Sequence, residues 1–304
     1  MKPDYTQQPA IQQLRKTVTA WYKRNARTFS WRVANPDPYI VLVSETMLQQ
    51  TQTSRVTEKL PQFLALFPDV YELAQANNAT ILRAWQGMGY NSRALRLRDC
   101  AKAIVTEHSG TVPNTYQQLR TLPGIGDYTA SAILSFAYHK QCVVLDVNIR
   151  RVYSRVMQPM PTTISTVADS ELREFAESVF PPKQSSAWHQ AIMDIGALYC
   201  TARSPKCAEC PLRTLCASAY SMQEAVRVKK AEPQHKGIPN RIWRGKVVEY
   251  LRQTHKAVHS NDVLAHVHPQ PITKQDEHWF ETLLQTLVRD SMITINANHI
   301  GLKE

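Results

Sequence analysis

From the N-terminus to about residue 220, apolar residues recur at helical spacing and seldom alternate. Ala130, Ile133, Leu134 and Ala137 fall at i, i+3, i+4 and i+7, so residues 127–139 are predicted to be a helix with one apolar stripe. Pro123 and Gly124 break whatever precedes it. Lys59 to Arg98 reads as several short helices, punctuated by Phe67-Pro68 and Gly87-Met88-Gly89. No G-x-G-x-x-G follows a strand, nothing resembles a P-loop, and no repeat at solenoid spacing is visible. The expected main body is all-α.

Past Cys216 the pattern changes. Residues 221–260 carry nine Lys/Arg against three Glu, interrupted by Pro233, Gly237 and Pro239, which reads as a basic linker running into a helix. Trp243, Val247, Tyr250 and Leu251 keep helical spacing, as do Phe280, Leu284, Leu287 and Val288. Ser260-Asn-Asp-Val-Leu looks like the capped start of a short helix. Met292 to Asn296 and His299 to Leu302, around Ala297-Asn298, read as a β-hairpin. Three helices and a hairpin predict a small α+β domain of winged-helix type; the competing expectation is a plain helical appendage.

Composition narrows the function classes. The chain has 304 residues, 43% hydrophobic and 20% charged, which excludes a disordered or collagenous chain. No apolar run approaches the ~20 residues that span a bilayer. The N-terminus lacks the apolar region of a signal peptide, so a cytoplasmic, nucleoid-associated chain without a membrane partner is expected. Lys+Arg 36 against Asp+Glu 25 gives +11, a balance that favours a polyanionic partner, most often nucleic acid.

Four of the six cysteines crowd into C-x6-C-x2-C-x5-C, as Cys200, Cys207, Cys210 and Cys216. A structural zinc site usually pairs two C-x2-C knuckles, and only one is present. A [4Fe–4S] cluster needs four thiolates without that pairing and is the favoured reading. In Leu122-Pro-Gly-Ile-Gly-Asp-Tyr-Thr-Ala130, Pro123, Gly124 and Gly126 open a helix through a tight turn whose bare N–H groups can hold a backbone phosphate. Twenty residues after Gly126, Asp146 sits in the apolar run Val144 to Val152; it is either a helix cap or a carboxylate with chemistry to do. Glu45 also lies in an apolar run, where burial is expected to keep a carboxyl protonated.

These segments, in this order, resemble the helix-hairpin-helix DNA glycosylases of the endonuclease III superfamily. Ser44-Glu-Thr-Met-Leu-Gln-Gln-Thr-Gln52, Gly87-x-Gly-Tyr-x-Ser-Arg-Ala94 and Met193-Asp-x-Gly-Ala-x-x-Cys-Thr201 resemble the MutY-type adenine glycosylases more closely. The likeness covers roughly residues 20–220. It implies a two-lobed helical fold over residues 1–221. A six-helix barrel spans about residues 32–140, and a cluster domain is built from 1–31 plus 141–221. A basic linker at 222–238 and the winged-helix-like domain at 239–304 follow.

The resemblance further implies base excision from double-stranded DNA carrying a mismatched or damaged base, by a protein acting as a monomer. Glycosidic hydrolysis passes through an oxocarbenium-like state served by two carboxyl groups. By similarity Glu45 protonates the purine, Asp146, ionised at a helix entrance, stabilises the cation, and Asn148 orients Asp146. Where lyases of this superfamily carry a lysine, Tyr128 stands, and a phenol cannot form a Schiff base, so a monofunctional enzyme is expected. Trp31, Arg32 and Gln190 resemble the adenine pocket; Gln49, Gln50 and Tyr90 are expected at the duplex, filling the gap left by a flipped base.

Two departures stand out. Asn91 replaces a tyrosine common in MutY-type proteins, and residues 239–304 are too few for the 8-oxoguanine-checking domain such proteins usually carry. A thymine or uracil mismatch glycosylase, and a noncatalytic iron–sulfur DNA-binding regulator, are the alternative readings.

Overall fold

The computed structural model describes residues 4–160, 167–222 and 232–304. Its helices are α1 (Gln8–Asn25), α2 (Pro38–Leu48), α3 (Thr53–Leu66), α4 (Val70–Gln75) and α5 (Asn78–Ala84). Then come α6 (Ser92–His108), α7 (Tyr116–Thr121), α8 (Asp127–Phe136), α9 (Val147–Met157), α10 (Asp169–Val179) and α11 (Ser185–Leu198). The C-terminal part holds β1 (Gln234–His235), β2 (Ile238–Pro239), α12 (Asn240–Thr254), β3 (Val258–His259), α13 (Ser260–Val267), α14 (Lys274–Arg289), β4 (Ile293–Asn296) and β5 (His299–Leu302). Among the described residues no helix is long and apolar enough to cross a membrane.

The chain forms two compact units. Unit 1 comprises residues 1–42, 114–120 and 125–228; unit 2 comprises 43–113, 121–124 and 229–304. In unit 1, α9 and α11 pack face to face, with α1 and α10 against them. Ile149, Val152 and Tyr153 of α9 meet Trp188, Ile192 and Ile195 of α11 in a core closed to water. The Trp188 indole N–H donates to the Tyr153 hydroxyl at 2.8 Å, so these two polar tips partner each other inside the layer. α8 ends at Phe136, one residue short of Ala137, because the chain turns through His139 at φ 52°.

In unit 2, α4 and α5 pack on α6, and Phe63, Trp85 and Phe67 form an aromatic cluster beneath them. Asp69 and Asn77 cap α4 and α5 through side-chain oxygens that accept backbone N–H bonds. The C-terminal elements follow the order helix, strand, helix, helix, strand, strand, with the sheet β3-β5-β4 antiparallel throughout. That is a winged-helix arrangement rather than a plain helical appendage. The tip between β4 and β5 places Ala297 (φ 46°) and Asn298 (φ 64°) between paired Asn296 and His299, the mirror-image turn that suits the twist of a two-residue hairpin.

Two details differ from the sequence pattern. The third strand, Val258–His259, is too short to show an alternation, and α13 is capped by the His259 ring rather than by Ser260. Of the segment read as a basic linker, 223–231 lies outside the described residues. Its end, 234–238, together with Pro239 forms the β1–β2 hairpin, and the Trp243 indole donates to the His235 carbonyl at 3.2 Å. The same unit joins this domain to α5: the buried Asn78 side chain accepts from Arg98 and donates to the Ser291 carbonyl.

Candidate active site and metal centre

Asp146 is the N-cap of α9, so both sequence readings of it describe one carboxylate. Its Oδ1 accepts the Ile149 N–H at 2.6 Å and its Oδ2 accepts the Asn148 amide at 2.8 Å. The other end of that amide, Oδ1 of Asn148, accepts from Arg151 at 2.7 Å. A cation on one side and a carboxylate on the other leave the Asn148 amide one sensible orientation. Arg151 also donates to the Gly196 carbonyl of α11 at 2.8 Å.

Gly196 has no Cβ for a reason. One placed there would lie 2.7 Å from the Asn148 Cβ and 3.3 Å from its backbone. Burial pushes the Asp146 carboxyl pKa up; the Ile149 and Asn148 bonds and the Arg151 charge pull against it without winning. The N-cap position alone had suggested the opposite direction. It ignored how deeply the carboxylate is set.

The three pocket candidates, Trp31, Arg32 and Gln190, are brought together by Asp194, which the sequence showed only as part of the Met193–Thr201 segment and with no role, and by Tyr22, Arg27 and Phe29, which it did not single out. Asp194 of α11 is fully buried and bonded by Arg32 at 2.8 Å, with the Arg27 guanidinium 3.5 Å from its other oxygen. The Tyr22 hydroxyl donates to Gln190 Oε1 at 2.8 Å, and Tyr22, raised in pKa by burial, feels the charge of both Arg32 and Asp194. Trp31 is buried and stacks flat on Phe29, 4.6 Å between centroids, and both arginines lie over the Phe29 ring. A carboxylate in the apolar run Ile192 to Ile195 was the available signal, the same one that marked Glu45.

Tyr128 sits in the first turn of α8, half-buried. Gly126 is its N-cap, with no side-chain cap, and the first-turn carboxylate Asp127 is taken up by Arg120 and by the Tyr116 hydroxyl, both within 2.9 Å. Those partners also hold Asp127 ionised, below its ordinary range. In unit 2, Gly124 takes φ 78°, and a Cβ there would press on Arg96 at 3.1 Å, while Pro123 is exposed.

Glu45 lies in unit 2 on α2, in a run buried without interruption from Val41 to Met47. The carbonyls at the end of α2 are gathered by Arg93. Its buried guanidinium donates to Thr46 O, Met47 O, Thr51 Oγ1, Met88 O and Gly89 O at 2.9–3.3 Å. It lies over the rings of Trp85 and Tyr90, and burial lowers its pKa to about 10. Arg93 therefore clips together the two segments that carry Gln49, Gln50 and Tyr90. Gln49 is half-buried; Gln50 (φ 56°) and Tyr90 (φ 45°) are exposed and left-handed, conformations that cost a non-glycine residue about 1 kcal/mol or more and persist only when held. Asn91 has a use of its own: its Oδ1 accepts from the buried Arg252 of α12 at 2.7 Å.

Cys200, Cys207, Cys210 and Cys216 line one small cavity of unit 1 together with Arg155, Tyr199 and Arg213. The donor set fits a multinuclear cationic centre. Burial drives the Cys210 thiol up to about 12, and the other three sulfurs push it further, so four thiolates can share this space only around positive charge. Arg155 and Arg151 anchor Cys200 through its sulfur and its carbonyl. Purified protein is expected to be yellow-brown with about four irons per chain; stoichiometric zinc in place of iron after anaerobic purification would contradict this.

The HhH-GPD superfamily of base excision DNA repair proteins matches residues 43–180, and the iron–sulfur binding domain of endonuclease III matches residues 200–216. An adenine DNA glycosylase of Mycobacterium tuberculosis H37Rv is 40% identical over 198 residues, 64% of each chain. One of Mycolicibacterium smegmatis is 36% identical over 238 residues, covering 78% of this chain and 80% of the relative. The structure of a thermostable thymine-DNA glycosylase superposes with a TM-score of 0.63 at 25% identity, over 69% of this chain and 96% of that one. The chain thus spans just under two thirds of the tuberculosis relative's length. With its four cysteines in the endonuclease III iron–sulfur pattern and its identity to these relatives, the chain belongs to the MutY-type branch of the HhH-GPD superfamily of base excision DNA repair proteins, and its cofactor is a [4Fe–4S] cluster.

Proposed function

We infer that the chain is a monofunctional adenine DNA glycosylase, which hydrolyses the N-glycosidic bond of a mismatched adenine turned out of duplex DNA. The observation that carries this is the Asp146 carboxylate, held on one oxygen by a backbone N–H and on the other by Asn148. Such a fixed, desolvated anion is what a developing sugar cation needs, and it costs no reorganisation as the bond breaks. Glu45 is the acid that makes the purine a better leaving group, and Gln190, Arg32 and Trp31 receive the base. Gln49, Gln50, Tyr90 and the Pro123–Gly126 turn hold the duplex around the extruded nucleotide. The relatives at 36–40% identity are named adenine DNA glycosylase, which favours adenine over thymine. The thymine-DNA glycosylase likeness keeps a pyrimidine mismatch as the second reading.

Tyr128 sets the outcome after base loss. Without an amine there, the abasic product is left intact. A duplex with one adenine opposite guanine should lose free adenine, its strand breaking only after alkali. Tyr128→Lys should gain cutting that borohydride converts to a covalent complex. Wild-type protein that cuts without alkali and is trapped efficiently overturns the monofunctional assignment.

A further inference from the structure

In the winged-helix domain, three side chains point metal-binding atoms at one spot. The Nε2 atoms of His235 and His268 are 3.3 Å apart, and both face Oδ1 of Asp276, at 2.8 and 3.4 Å. They come from three elements: His235 from β1, His268 from the C-cap of α13, and Asp276 from the first turn of α14. His268 and Asp276 are almost fully buried, and His235 is half-buried.

Proton arithmetic makes the arrangement informative. Nδ1 of His268 lies 2.7 Å from the Pro269 carbonyl, which can only accept, so that nitrogen bears the proton and a neutral His268 turns a lone pair inward. Oδ1 of Asp276 is a second acceptor at the same spot. Nε2 of His235 has one proton to offer to both. Oδ2 of Asp276 is already engaged by Lys236 at 3.2 Å and by the Thr273 hydroxyl and N–H, which leaves Oδ1 as the one oxygen presented. Metal-ligating histidines almost always have their other ring nitrogen held by a carbonyl or carboxylate, and His268 already meets that condition.

We propose that His235, His268 and Asp276 form a site for a divalent transition metal of the zinc class, tying the β1–β2 hairpin to α13 and α14. A tetrahedral ion with bonds of ~2.0–2.1 Å holds its donors ~3.3–3.4 Å apart. Two of the three edges already have that length, and the third has to open by about half an ångström. Two imidazoles and one carboxylate oxygen suit zinc, cobalt or nickel and disfavour calcium and magnesium. Trp279 stacks on His235 at 3.8 Å and Trp243 packs against the His268 ring, apolar walls that keep bulk water from the ion. The site is separate from the four cysteines of unit 1.

The test uses the untagged 304-residue chain with its four irons retained, so that the cysteines are occupied. After treatment with a chelator that spares the cluster, zinc is titrated against a chromophoric competitor. One zinc per chain is expected at sub-micromolar affinity, with a higher melting temperature in its presence. His235→Gln and His268→Gln should each weaken binding ~10²-fold or more and abolish the thermal shift. His235→Gln, at the half-buried ligand, serves where His268→Gln fails to fold. No tight zinc in the wild type, or zinc held equally by the variants, overturns the proposal and leaves the three residues as a hydrogen-bonded cluster.

Discussion

Asp146→Asn and Glu45→Gln should each slow single-turnover base excision by ~10² or more, the scale for losing an electrostatic stabiliser or a general acid. DNA affinity should barely fall in either, because neither carboxyl faces a phosphate in the proposed mechanism; losing a negative charge can even tighten binding. The geometry adds a third variant. Gly196→Ala puts a Cβ 2.7 Å from that of Asn148, and Asn148 must move, taking its amide off Asp146. Excision should drop ~10-fold or more through lost positioning, again with affinity kept.

The pH profile follows from the direction of the Asp146 shift. Burial raises its pKa, and the ionised form is the working one, so the rate should fall on acidification at a pH above the ordinary carboxylate range. Asn148→Ala removes a contact that favours ionisation and should move that limb to higher pH. Near-wild-type excision in Asp146→Asn on the best substrate would make Asp146 a structural cap alone.

Arg93→Met should be the most damaging substitution for stability. Four backbone carbonyls and the Thr51 hydroxyl lose this donor at once; Gly89 O keeps the Trp85 indole N–H, and a buried acceptor that ends with no partner costs roughly 1–3 kcal/mol. Local relaxation and water entry recover part of this, so about 3–5 kcal/mol is expected, read as a fall in melting temperature of roughly 10 °C. Arg93→Lys keeps the charge but cannot reach all five acceptors and should recover less than half. Because Gln50 and Tyr90 depend on this clip for their left-handed backbones, both variants should weaken DNA binding at temperatures where the fold survives. Equal melting temperatures for wild type and Arg93→Met would show that the clip holds nothing.

What the sequence revealed depended on how local each feature is. The cysteine spacing, the proline–glycine turn before α8 and Asp146 in its apolar run are short-range signals, and each has its counterpart in the structure. Features that need a distant partner were invisible. Arg93 stands in the Gly87–Ala94 segment of the resemblance, but its role shows only when its guanidinium is seen on α2 carbonyls 46 and 47 positions away. Gly196 lies in the Met193–Thr201 segment of the resemblance, but the reason for a glycine there shows only when the Asn148 Cβ is found against it. Asn91 reads as a loss relative to related chains, yet Arg252, 161 residues on, bonds it. His235, His268 and Asp276 lie 33 and 8 residues apart on three elements, a spacing that forms no motif.

The adenine assignment is tested most directly by a base-release panel: duplexes carrying adenine, thymine, uracil or hypoxanthine opposite guanine, cytosine and 8-oxoguanine, with the freed base identified by mass. Release of adenine from mismatched duplexes, and no release of thymine or uracil under the same single-turnover conditions, is the predicted result. Release of thymine or uracil opposite guanine while adenine stays in place would contradict it.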